Sequence, residues 1–382
     1  MDKSLIAQYF RQQFSSEPEL LVRAPGRVNL IGEHTDYNGG FVLPAAIDKA
    51  IWLAASRRSD NRLVFYAADL GETFVADEGD TVLQQEKKWA NYLLGVISEA
   101  RRDGMSIGGL NLAFGGDVPL GAGLSSSAAL ESGMMFALDR LFALGLAPME
   151  IVRLAQRGEN HFVGMKCGIM DMFASVMGRA DQVVRLDCRS LDYAYFPFHA
   201  GAYSLLLLDS GVKHQLVDSE YNTRREECEK GVALLRRFDA RIESLRDVSG
   251  EYLMQHRQDL PETVYRRCHF VVEEIARVEA ACAALQADDF EELGGLMFAG
   301  HEGLDRDYEV CVEETNFLVD FARQRIAGAR QMGGGFGGCT INLLKTSMMD
   351  AFLSDVFEAY RQRFKIELKC YPVKLTGGVA VV

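Results

Sequence analysis

No C-x-x-C pair occurs among the eight cysteines of this chain, at positions 167, 188, 228, 268, 282, 311, 339 and 370. Neither zinc-ligand spacing nor a disulfide framework is suggested, and reduced thiols in a cytoplasm are the simplest expectation. Positive charge is also scarce: 41 Lys and Arg stand against 54 Asp and Glu, a formal charge of −13 at pH 7. Binding to nucleic acid or to an anionic membrane surface needs a basic patch, so neither partner is expected, and an anionic substrate must be held locally. Long hydrophobic runs are missing. The apolar stretch 205–208 stops at Asp209, far short of a membrane span. Asp2, Lys3, Arg11, Glu17 and Glu19 leave the opening segment no apolar core for a signal peptide. With only eight prolines and no low-complexity tract, no flexible linker marks a domain boundary.

What is present reads as a globular chain of 382 residues, 48% of them hydrophobic, with material for about two or three domains. Apolar periodicity predicts a helix over 3–14, strands near 20–30, 41–56 and 62–68, and a helix over 89–102. A strand over 108–115 follows, then helices over 125–143 and 148–163. From about 198 the alternation changes, with a strand over 202–209 and long helical patterns through 219–326. Strands over 328–332, 340–345 and 366–374 then flank a helix over 347–363. Strands spread among helices without strict βαβ repetition predict an α+β fold of two domains, 1–197 and 198–382, the second with an antiparallel sheet.

Four segments carry chemistry. Arg23-Ala-Pro-Gly-Arg-Val-Asn-Leu-Ile-Gly-Glu-His-Thr-Asp-Tyr-Asn-Gly-Gly40 crowds Arg27, Glu33, His34 and Asp36 around a glycine-punctuated turn. Carboxylates supply acceptors, His34 and Arg27 supply donors, and glycines let backbone come close, which suits a polyhydroxylated ligand. A solvated Asn-Gly turn is the plainer alternative. Gly115-Gly-Asp-Val-Pro-Leu-Gly-Ala-Gly-Leu-Ser-Ser-Ser-Ala-Ala-Leu130 sets Gly121 and Gly123 before three serines and a strong helical run. There the free N–H groups of a first turn and the helix dipole converge on a phosphate, and a serine can reach a phosphate-bound Mg²⁺. No Gly-Lys-Ser/Thr closes this loop and it lacks the G-x-G-x-x-G order, so it is neither a Walker loop nor a nicotinamide fingerprint. Serine capping alone is the alternative.

The third segment, 158–171, holds Glu159 and Asp171, which the glycines at 164 and 168 separate, so the two acids point at different parts of one cleft. One or two carboxylates plus phosphate oxygens suit Mg²⁺, which fits Glu159 with Ser127; Asp171 could instead only cap the helix it opens. The fourth, Ala329-Arg-Gln-Met-Gly-Gly-Gly-Phe-Gly-Gly-Cys-Thr340, has five glycines in six positions, a run that opposes regular structure. A tight hairpin and a backbone loop pressed against a ligand are both open.

In order and spacing these segments resemble the motifs of the GHMP small-molecule kinases. Gly26-Arg-Val-Asn-Leu-Ile-Gly-Glu-His-Thr-Asp-Tyr-Asn38 is similar to the galactokinase signature, as are Cys167-Gly-Ile-Met-Asp171 and Glu220-Tyr-Asn-Thr-Arg-Arg225. The resemblance spans about 20–378. It implies an N-terminal domain like ribosomal protein S5 domain 2, a ferredoxin-like C-terminal domain, and an active site between them. By the resemblance, Asp171 is the catalytic carboxylate near the sugar C1 hydroxyl, taking its proton or orienting it, with Arg27 beside it. Glu33, His34, Thr35, Asp36 and Tyr221 hold the sugar. Gly121, Ala122, Gly123, Leu124, Ser125, Ser126 and Ser127 cradle the ATP phosphates, Ser127 and Glu159 take Mg²⁺, and Trp89 lies near the adenine. Gly334, Gly335, Gly337 and Gly338 line the far side of the cleft. The activity implied is transfer of the ATP γ-phosphoryl group to C1 of D-galactose, by a cytoplasmic monomer or weak dimer. A kinase of the same fold for N-acetylgalactosamine or arabinose, and a noncatalytic galactose and ATP sensor, are the alternatives. Intact Glu33, His34 and Asp36 favour galactose; retained Arg27 and Asp171 favour catalysis.

Overall fold

The structure, a computed structural model, describes residues 1–77, 82–119, 123–213 and 217–382. The first half runs α1 (Lys3–Phe14), β1 (Leu20–Asn29), β2 (Phe41–Val42), β3 (Pro44–Arg57), β4 (Leu63–Ala67), β5 (Glu72–Ala76), α2 (Ala90–Arg102), β6 (Leu110–Gly116), α3 (Ser126–Phe142), α4 (Pro148–Arg157), α5 (Met170–Met177), β7 (Gln182–Asp187) and β8 (Tyr193–Pro197). The second runs β9 (Tyr203–Lys213), α6 (Val217–Leu235), α7 (Gly250–Gln255), α8 (Glu262–Gln286), α9 (Phe290–Arg306), α10 (Glu313–Ala322), β10 (Gly328–Gln331), β11 (Gly337–Lys345), α11 (Met349–Phe364), β12 (Lys369–Val373) and β13 (Ala380–Val381).

Among the described residues, two of the three sheets are built mainly from the first half. One has the order β13-β1-β3-β6-β4-β5 and the other β2-β7-β8. The third, β10-β11-β9-β12, is antiparallel throughout. Its chain order β9, helices, β10, β11, α11, β12 gives the β-α-β-β-α-β connectivity of a ferredoxin-like layer. The fold is α+β, as the patterning predicts. Among the described residues no helix is long and apolar enough to cross a membrane.

Local chemistry explains the elements that position the site. Asp2 caps α1, its Oδ1 accepting from the N–H groups of Ser4 and Leu5 at 2.9 Å each. α3 buries Ala129, Met134, Ala137 and Leu138 against β1 and β3. At Gly133 the helix comes so close to the sheet that a Cβ would stand 2.7 Å from Leu53 Cδ1 and 2.8 Å from Ala24 Cβ. That approach sets the helix start against the end of β1. The helix expected over 148–163 is α4 followed by a π-helical turn, Gly158–Val163, which ends at Gly164 with φ of 87°.

The chain end departs from the expected division at 197/198. Thr376 N donates to Ala46 O at 2.9 Å, Val379 N to Ser175 O at 2.8 Å and Val382 N to Leu21 O at 3.1 Å. β13 pairs with β1, so the last residues return to the first half.

Candidate active site

Arg27 is aimed by an irregularity in β1. Pro25 has no N–H to give the ladder, and the register with β3 shifts between Pro25 and Arg27, a bulge that re-aims the next side chain. Arg27 N donates to Leu124 O at 3.3 Å, tying the bulge to the loop before α3. The side chain then grips Asp171 with two parallel bonds, Nε to Oδ1 at 2.8 Å and Nη2 to Oδ2 at 2.9 Å. Arg27 is 5% exposed. Burial alone would weaken its charge, but Asp171, Glu33 and Asp36 outweigh that and raise its pKa.

Both capping alternatives fail here. Ser125 precedes α3 in a left-handed conformation, φ 56°, and makes no side-chain bond to the helix. Its hydroxyl donates instead to Asp171 Oδ2. The N–H groups of the first turn of α3 are therefore left without a side-chain cap, as an anion site requires. Asp171 likewise caps nothing: α5 has no side-chain cap and the carboxylate turns to Arg27.

The acidic turn forms the opposite wall. A left-handed residue at His34, φ 63°, follows Gly32, φ 98°, and the chain then enters a short 3-10 turn, Asp36–Asn38. Glu33 Oε1 accepts from Arg330 Nη2 at 2.8 Å and from Gly333 N at 2.9 Å. Arg330 is fully buried and also donates to Leu30 O at 2.6 Å and Asn29 O at 2.8 Å. Burial, then the charge of Arg224, lowers the His34 pKa to about 3. Asp36 goes the other way. Desolvation first, then the neighbouring carboxylates of Asp171 and Glu33, raise it to about 6.

Arg27, Glu33, His34, Asp36, Asp171 and Tyr221 all line one cavity of about 380 Å³, with Gly333 and Gly334 on its far side. Several expectations need correction. Thr35 is fully buried and faces away from the cavity, its hydroxyl donating to Gly32 O at 2.9 Å and Phe41 O at 2.5 Å; it closes the turn. Trp89, expected near the adenine and not in this cavity, packs against Phe74 and Phe114 and donates to Glu72 Oε2 at 2.8 Å; Tyr92 lines the cavity. Of Gly334, Gly335, Gly337 and Gly338 only Gly334 lines it, because Gly335 presses on Val310 and Gly337 on Val212. Gly121 and Ala122 lie outside the described residues. Gly123 meets the second glycine loop, where a Cβ would lie 3.5 Å from Met332 O.

Glu159 is buried on the π-helical turn, with Cys167 Sγ donating to its Oε2 at 3.2 Å and with Ser127 and Glu131 beside its carboxyl. Glu131 was not singled out from the sequence. It is fully buried on α3, one turn after Ser127, with its carboxyl against that of Glu159. Burial, then Glu159, pushes its pKa well up. No group of three or more His, Cys, Asp or Glu among the described residues forms a ready-made metal cage. A hydroxyl and two adjacent carboxyl groups in one place do fit Mg²⁺, which keeps waters and takes substrate phosphates. Arg330, Tyr37 and Tyr308 were also missed; a buried arginine or tyrosine leaves no mark in composition or period.

Residues 8–57 match the family model described as the galactokinase galactose-binding signature. Residues 91–179 match that of the GHMP kinases N terminal domain. A galactokinase of Thermotoga neapolitana is 40% identical over 360 residues, covering 94% of this chain and 99% of its own. One from Roseiflexus sp. is 39% identical over 384 residues, covering 100% of this chain and 98% of its own. The crystal structure of Lactococcus lactis galactokinase complexed with galactose superposes with a TM-score of 0.95 at 32% identity, covering 99% of each chain.

Proposed function

From a chain that belongs to the galactokinase family of GHMP kinases, we infer an enzyme that transfers the γ-phosphoryl group of ATP to the C1 hydroxyl of D-galactose, giving galactose 1-phosphate and ADP. Phosphoryl transfer of this kind rests on positioning and on stabilising negative charge spread over the phosphoryl oxygens. The observation that carries the assignment of roles is the two-bonded Arg27–Asp171 pair, set between the uncapped start of α3 and the acidic turn.

An ionised carboxylate has about four lone-pair sites. Arg27 occupies one on each oxygen of Asp171 and Ser125 a second on Oδ2, which leaves Oδ1 one site for the sugar. The C1 hydroxyl binds there, and its proton passes to Asp171 as the C1–O–P bond forms and the bond to ADP breaks. An anomeric hydroxyl is more acidic than a simple alcohol, so a carboxylate suffices as base. Arg27 and the first-turn N–H groups at Ser126 and Ser127 face the phosphates, with Gly123 and Leu124 giving them room. Glu33, His34, Asp36 and Tyr221 hold the other sugar hydroxyls. Ser127 and Glu159 would hold Mg²⁺, which would neutralise phosphate charge when bound. The cleft lies between residues 1–197, with the returning chain end, and the remainder of 198–382. Eight unpaired cysteines suit a reducing compartment.

Purified protein with Mg-ATP and a panel of galactose, N-acetylgalactosamine, arabinose, glucose and mevalonate, followed by ADP release and product identification, tests this. Galactose is the expected best substrate, phosphorylated at C1. Preference for another member of the panel removes the substrate assignment, and no turnover of any of them favours a sensor.

A further inference from the structure

His34 lines the cavity, and its Nε2 is buried and without a hydrogen-bond partner in the protein. The other ring nitrogen does not end at a backbone carbonyl. His34 Nδ1 meets Tyr37 OH at 2.8 Å, Tyr37 OH meets Tyr308 OH at 2.8 Å, and Tyr308 OH meets Cys228 Sγ at 3.3 Å. Tyr308 and Cys228 are fully buried, and the Tyr308 ring packs on His34 with centroids 4.7 Å apart. Four groups thus form one chain from the second half of the molecule to an imidazole that lines the cavity.

Such a chain can run two ways, and the direction fixes the imidazole tautomer. If the protons point toward His34, Nδ1 accepts from Tyr37 and the ring proton sits on Nε2, as a donor to the cavity. If they point away, Nδ1 donates and Nε2 offers a lone pair. Imidazole nitrogen is the best acceptor of the four groups and thiol sulfur the poorest, so matching a phenol O–H to Nδ1 favours the first direction. Asn38 Nδ2 donates to His34 O at 2.8 Å and so holds the backbone that carries the ring. Glu33, Asp36 and Asp171 in the same wall are acceptors, and Arg27 is committed to Asp171 and to Gly123 O, so a donor at His34 Nε2 complements them.

We propose that the Tyr37–Tyr308–Cys228 chain holds His34 in the tautomer with its proton on Nε2, so that His34 donates to a sugar hydroxyl, and that Tyr37 and Tyr308 are positioning residues for sugar recognition. The inference deepens the sugar-kinase reading and rests on it. A hydroxyl at this place accepts from His34 while donating to a carboxylate of the same turn, so a deoxy position there satisfies neither. Because burial and Arg224 keep the ring neutral down to about pH 3, tautomer choice and not titration sets its role.

The test uses full-length protein labelled with ¹⁵N-histidine, without sugar, in two-bond ¹H–¹⁵N correlation spectra; His34→Gln assigns the resonance. The wild type should show a neutral His34 with its proton on Nε2. Tyr37→Phe removes the partner of Nδ1 and should show both tautomers, with the galactose KM raised about tenfold while kcat and the ATP KM stay within about twofold. Tyr308→Phe leaves Tyr37 on Nδ1 and should keep the tautomer with a smaller rise. A wild-type proton on Nδ1, or a Tyr37→Phe protein with altered tautomer and unchanged galactose KM, overturns the proposal. If Tyr37→Phe does not fold, the wild-type spectrum and Tyr308→Phe decide. Failure of the wild type to phosphorylate galactose would defeat the substrate reading instead, since the spectrum is taken on free protein.

Discussion

At Asp36, desolvation beside two other carboxylates lifts the pKa to about 6, against about 3.9 for an unperturbed aspartate. Between those values the folded protein holds a proton that the unfolded chain has lost. The raised carboxyl therefore contributes stability that is fully present below the unfolded value and is lost as pH rises through 6. Sugar binding has the opposite dependence, because an ionised Asp36 is the better acceptor. We expect kcat/KM for galactose to fall as pH drops through about 6, and Asp36→Asn to lower it at every pH while removing that limb. A wild-type profile flat from pH 5 to 8 would contradict this role, as checked by steady-state rates in matched buffers. Residue type alone pointed to Arg27, Glu33, His34 and Asp36, because carboxylates and cations packed among glycines are unusual, whereas Asp171 read equally as a helix cap and took its role from the family resemblance. It did not point to Arg330, whose value depends on Glu33, 297 positions away. An arginine ahead of a glycine run reads as a solvated strand end, and only the assembled fold makes it the buried partner of the acidic turn.

Among the elements, short irregular pieces do most of the aiming. The bulge at Gly26 turns Arg27 inward, the left-handed Ser125 frees the start of α3, and the loop between the π-helical turn and α5 brings Gly168 against the acidic turn. At Gly168 a Cβ would lie 1.7 Å from Asp36 Oδ2 and 2.5 Å from its Cγ, a separation real atoms do not adopt. Gly168→Ala must displace Asp36, so the galactose KM should rise by about tenfold or more with the ATP KM little changed. Equal galactose KM values in the variant and the wild type would show that Asp36 has freedom to move without cost to binding. Long periodic elements were legible from the sequence: α1 matches 3–14, and α2, α3 and α11 lie within a residue or two of their predicted ends. β5, β7, β8 and β13 were not assigned. Strands of two to six residues carry too few alternations for a period of two to emerge, and β13 exists only because β1 offers it an edge.

For the whole molecule, the cavity needs both halves. Arg27, Glu33, His34, Asp36 and Asp171 come from the first, and Tyr221, Gly333 and Gly334 from the second. Arg330 and Gly333 hold Glu33 across that boundary, and Gly32 N donates to the buried Glu274 of α8 at 2.8 Å. Breaking a buried pair such as Arg330–Glu33 by removing one partner costs about 3–5 kcal/mol, so the two halves are fixed where the sugar turn sits. The α+β class and the existence of two parts were readable from the change of pattern near 198. The return of the chain end to the first sheet was not, because eight or so terminal residues with no strong period give no sign of where they dock. The central claim is that Asp171, held by Arg27, receives the sugar proton at the meeting point of the two substrates. The most direct measurement compares, in one preparation of Asp171→Asn, galactose affinity by calorimetry and turnover by ADP release. The account predicts affinity within about fivefold of the wild type and turnover lower by about 10²–10⁴. Turnover within a few-fold of the wild type would contradict it.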